Sequence, residues 1–73
     1  MRRGAATITD GVWRTAIAAE TYQRLVNLDE LDEDATRNLM TALEKQGDSA
    51  GAKRAYRRLA TALKRELGET PGF

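Results

Sequence analysis

Tyr22-Gln23-Arg24-Leu25 returns as Tyr56-Arg57-Arg58-Leu59, and Ala18 and Ala52 precede the two copies by the same interval. A small residue, a ring four positions on and a leucine three beyond that share one face of an α-helix, where small residues admit a neighbouring helix and rings fill the gap beside it. The residues around both copies favour helix, because Ala, Leu, Arg, Glu and Lys dominate and the only proline is Pro71. Outward from the two copies the sequence predicts three helices. The first runs from about Val12 to Asn27 behind Asp10 as N-cap. The second runs from about Glu33 to Gln46 behind Asp32, with Gly47 as its stop. The third runs from about Ser49 to Leu67, with Asp48 or Ser49 as cap and Gly68 as stop. The chain is thus read as a helical domain over residues 10–69, between a disordered segment 1–9 and a flexible tail 70–73.

The interval between the copies, 56 − 22 = 34 residues, is the period of the tetratricopeptide repeat, a helix-turn-helix unit. In that register the chain holds the second helix of one repeat and both helices of the next. The expected fold is all-α, three helices, about one and a half tetratricopeptide-like hairpins. Leu39 and Leu43 take apolar positions on the first helix of the complete repeat, while Thr36 and Met40 stand where the repeat usually has Trp and Gly. Tyr22, Leu25, Leu39, Leu43, Tyr56, Leu59 and Leu63 are the expected inter-helix core. Solenoid units bury their apolar faces only against neighbours, so an incomplete array exposes apolar surface, and such surface commonly marks association. Trp13, Ile17 and Leu28 are the candidate protein-interaction residues at the edge, and a homodimer is the expected form. The last residue, Phe73, is expected to be disordered.

Composition narrows the functions open to the chain. Seventy-three residues make one small domain, which buries only roughly 60–65% of the surface its unfolded form exposes. With neither cysteine nor histidine there is no disulfide, no thiolate zinc site and no imidazole base. Ser49 has no evident base to activate it, so the chain is read as a non-enzyme with no cofactor and no metal. No apolar run is long enough to span a bilayer and no secretory pattern follows Met1-Arg2-Arg3, so the expected location is the cytoplasm.

Twelve basic against eleven acidic residues leave a net charge of +1, but the two signs are segregated. Lys53, Arg54, Arg57, Arg58, Lys64 and Arg65 form a basic face on the third helix, able to meet phosphates or an acidic partner. Asp29, Glu30, Asp32, Glu33 and Asp34 cluster around Leu31 without the spacing of a calcium loop. Helix capping and the N-terminal dipole account for most of these acids. Docking of this turn on the basic helix of a second copy is a further option.

The stretch from Ala18 to Pro71 resembles a known family, the bacterial transcriptional activator domain, in its C-terminal part. The likeness is carried by Leu28-Asp29-Glu30-Leu31-Asp32-Glu33-Asp34-Ala35, Arg37-Asn38-Leu39-Met40, Gly47-Asp48 and Ala55-Tyr56-Arg57-Arg58-Leu59. It closes on Leu63-Lys64-Arg65-Glu66-Leu67-Gly68. Glu30 replaces the proline that the family carries there. The resemblance implies a part in transcription regulation through domain contact or dimerisation. In the family, DNA contact belongs to a separate winged helix-turn-helix domain; nothing before Asp10 forms one, so DNA binding is not carried over. The expected function is a protein–protein interaction or dimerisation module. Its rival is a small nucleic-acid-binding protein that uses the basic face.

Overall fold

Three α-helices, α1 (Arg2–Leu28), α2 (Glu33–Lys45) and α3 (Ser49–Leu67), make up the computed structural model, which describes residues 2–73, with side chains from Trp13 onward. Two aspartates start the shorter helices. Asp32 Oδ1 accepts from the Ala35 N–H at 3.0 Å, and Asp48 Oδ1 accepts from the Gly51 N–H at 2.8 Å. Each satisfies a donor that the first helical turn leaves without an intrahelical acceptor. Gly51 is matched to this cap, because a Cβ there would lie 2.7 Å from Asp48 Cγ. Two glycines with positive φ end the same helices, Gly47 at +80° and Gly68 at +68°. Around Gly47 the Asp48 N–H donates to the Leu43 carbonyl and the Gly47 N–H to that of Glu44, the Schellman pair.

The start of α1 differs from expectation. Helix begins at Arg2 and takes in residues 2–9, where the sequence placed a disordered segment, and also Asp10, which is therefore no N-cap. No proline interrupts Arg2–Val12, and Gly4 and Gly11 each weaken a helix by only about 1 kcal/mol relative to alanine. A single capping residue does not stop a helix that the residues ahead of it can continue.

α2 packs against both α1 and α3, which do not pack against each other. Leu39, 1% exposed, sits at the centre of this arrangement with Ala35 and Ala42. Ala19 and Val26 of α1 and Ala55 of α3 close on them, and Tyr22, Met40 and Leu43 pack at the margin. Ala52, Leu59, Ala62 and Leu63 line the buried side of α3. The order of the helices is that of the one and a half hairpins that the repeat implied, and the fold is all-α.

Two members of the expected core are placed otherwise. Leu25 is 41% exposed, and Val26, next to it, is buried at 1%. Its repeat equivalent Leu59 faces α2, the preceding helix of its own hairpin; no helix among the described residues takes that place on α1, so α1 meets α2 through a face about one residue round. Tyr56 is only half buried, and Phe73 covers it edge-on at 5.7 Å between ring centroids. The tail is drawn back over α2 as well, where the Gly72 N–H donates to Glu33 Oε1 at 2.8 Å and the Arg37 guanidinium lies 5.6 Å from the Phe73 ring centre. Phe73, expected to be disordered, lies against Tyr56 and Arg37 because the turn at Gly68 returns the chain toward α2.

Thr36 is fully buried and its hydroxyl has no hydrogen-bond partner among the described residues. An unpaired buried hydroxyl costs stability that an isosteric methyl does not. Thr36→Val is therefore expected to hold or raise the urea midpoint followed by circular dichroism, and a fall would show that the hydroxyl has a partner. Leu39→Ala and Leu59→Ala are each expected to cost about 2–5 kcal/mol, a loss that unfolds most of the protein at a typical stability for a small domain.

Candidate interaction surfaces

α1 carries two apolar stripes. Ala19, Tyr22 and Val26 follow a three-four spacing toward α2, and Trp13, Ile17, Leu25 and Leu28 follow the same period on another side. The second stripe is open, with Trp13 61%, Ile17 40% and Leu28 84% exposed. The structure thus places the three candidate interaction residues together along the outside of one helix and adds Leu25 to them. Reading by repeat equivalence missed Leu25, although its spacing from Ile17 and Leu28 is visible in the sequence.

The acidic turn is occupied within the chain. Asp29 Oδ1 accepts from the Leu31 N–H, Asp32 caps α2, and Asp34 pairs with Arg37 at 2.9 Å. Glu33 takes the Gly72 N–H, and Glu30 pairs with Arg65 at 2.9 Å. Every one of the five carboxylates therefore has an internal partner. No group of three or more His, Cys, Asp or Glu is placed to hold a metal ion among the described residues. Docking of this turn on a second copy would have to share these carboxylates with their internal partners.

The basic face of α3 divides into bound and unbound groups. Arg58 donates to Asn27 Oδ1 on α1 at 2.8 Å. Arg65 bonds both Glu66 and Glu30, and these raise its pKa above the ordinary arginine value, the Glu66 hydrogen bond contributing most. Lys53, Arg54, Arg57 and Lys64 have no hydrogen-bond or ion-pair partner among the described residues. Between α1 and α3, whose backbones stay apart, a groove of about 290 Å³ runs over α2, with Val26, Leu39, Leu43 and Ala55 below, Arg54 and Arg58 at its edge, and Gln23 and Asp48 also lining it. A second depression of the same size continues along α3 past Arg57 to Glu30 and Arg65. The sequence placed these arginines on one helix face but gave no sign of the groove, which depends on the separation of α1 from α3.

No helix among the described residues is long and apolar enough to cross a membrane. The family model of the bacterial transcriptional activator domain matches residues 2–73, a wider span than the Ala18–Pro71 likeness. Neither the curated proteins nor the solved structures yield a match.

If the acids of the turn are structural, their effects on stability should follow their bonds. Asp32→Ala is expected to cost about 1 kcal/mol in urea denaturation through the lost cap. Asp34→Ala, which removes only an exposed pair within one helix, is expected to cost a few tenths of that order. Equal losses would mean that general charge, and not capping, places these residues.

Proposed function

The chain belongs to the bacterial transcriptional activator domain family, and on that premise we propose that it is a protein-interaction module of a cytoplasmic transcription regulator and has no catalytic role. The observation that carries this reading is the contrast between Leu59 and Leu25. They hold the same place in the repeat, yet Leu59 is 1% and Leu25 41% exposed. On α3 that place is covered by α2, and on α1 it is open. An amphipathic helix presented by a partner fits there as α2 fits α3, with Trp13 and Ile17 extending the contact toward the N-terminus and Leu28 toward the turn. Aromatic and aliphatic anchors of this kind dominate interface energies. A second copy of the chain is the simplest source of the helix and would make a homodimer.

The other reading, nucleic-acid binding by α3, has the unpaired Arg54 and Arg57 in its favour. It is weakened by the confinement of the charge to one helix, by Glu30 at the end of the row and by grooves with no aromatic lining.

Sedimentation equilibrium over a wide concentration range tests the proposal. The unaltered chain is expected to associate, and Leu25→Glu and Trp13→Ala to shift it to monomer while circular dichroism and the urea midpoint stay close to the original. Loss of the fold in both variants would return these residues to the core and end the reading. A monomer at every concentration would remove the homodimer and leave a different protein as the partner.

A further inference from the structure

We propose that the groove between α1 and α3 binds an acidic segment of a partner protein, its carboxylates held by Arg54, Arg57 and Arg58 and an aliphatic side chain seated between the helices. This surface is separate from the apolar stripe of α1, and either can fail without the other.

The charge of the chain supplies the first reason. Net charge is nearly zero, but the carboxylates of the acidic turn are engaged at home, whereas Arg54 and Arg57 have no partner among the described residues. Two unpaired guanidinium groups one turn apart on a fixed helix present planar donor forks suited to carboxylates. The second reason is positioning. Asn27 Oδ1 holds Arg58 at 2.8 Å on the rim of the groove and leaves most of its donors free. Arg54 and Arg58 line both the groove and the depression that continues it, so a bound chain can run from one into the other.

The lining then selects the class of partner. Half-buried Leu43, with the edges of the nearly buried Val26, Leu39 and Ala55, gives the groove a small apolar floor beside the arginines, enough for one aliphatic side chain, while Gln23 and Asp48 make up its polar part. No ring lines either groove for a base to stack on. The row from Arg54 to Arg65 spans about 16 Å, the reach of a short peptide segment. A second copy of this chain is a poorer source than a free acidic segment, because each carboxylate of its one dense acidic stretch already shares its acceptors with a donor in the copy that carries it.

Fluorescence anisotropy at low ionic strength tests this, with a labelled peptide of Glu and Ala that carries one central Leu. Controls are the same peptide with Gln for every Glu, the same peptide with Ser for Leu, and a single-stranded DNA of equal charge. The acidic peptide is expected to bind the full chain and the Gln peptide not to bind. The Ser peptide is expected to bind more weakly than the Leu peptide. The double variant Arg54→Glu, Arg57→Glu should weaken binding by about tenfold or more while circular dichroism shows it folded, since neither arginine has a partner to lose. Trp13→Ala should bind the peptide as the unaltered chain does, which keeps this test apart from that of the α1 stripe. Absence of peptide binding, equal binding of the Gln peptide, an unaffected double variant or a preference for the DNA would each overturn the proposal.

Discussion

Everything in this fold hangs on α2. Among the described residues it alone packs its backbone closely against both other helices, and Leu39, Ala35 and Ala42 bury the surface that holds them together. With extents of 55 × 21 × 15 Å the molecule is elongated and only about one to two helix diameters thick. Such a shape leaves each outer helix one covered side and one that faces water. The open stripe on α1 and the groove between α1 and α3 are both results of that arrangement. The first is the side of α1 that α2 cannot reach, and the second is the space left because α2 keeps its neighbours apart.

The two signs of charge have separate work. The acids begin helices and hold the tail and Arg65 in place. The bases of α3 are only partly matched to them, so a protein of nearly neutral total charge presents a local excess of guanidinium groups. Net charge therefore says little about partners here, and the pattern of internal bonding says more. Membership of the bacterial transcriptional activator domain family ties the chain to transcription regulation.

Much of this was legible in the sequence wherever the determinants are local. Asp32, Asp48, Gly47 and Gly68 punctuate α2 and α3 through bonds within a few residues, and their boundaries agree with expectation to within one residue. Leu25 was not legible by repeat equivalence, because equal positions in a repeat have equal surroundings only when the neighbouring helices are also equal. Phe73 was not legible either, since its packing on Tyr56 depends on where the turn after α3 sends the chain. Arg58 and Arg65 could be placed on a face, but Asn27 and Glu30 as their partners come from separate elements that only the tertiary arrangement brings near.

The bonds that frame the groove also have a place in time. The two helical pairs, α1 with α2 and α2 with α3, are neighbours along the chain and close through short loops, the kind of contact that forms fast. Arg58 to Asn27, Arg65 to Glu30 and Gly72 to Glu33 join residues 31, 35 and 39 positions apart. They are exposed polar ties between residues far apart in the chain, so they close after the helical pairs have docked and are the first to open. The core can thus stay folded while the rim of the groove loosens, and a partner that grips the arginines would slow the amide exchange of the turn and tail more than that of α2.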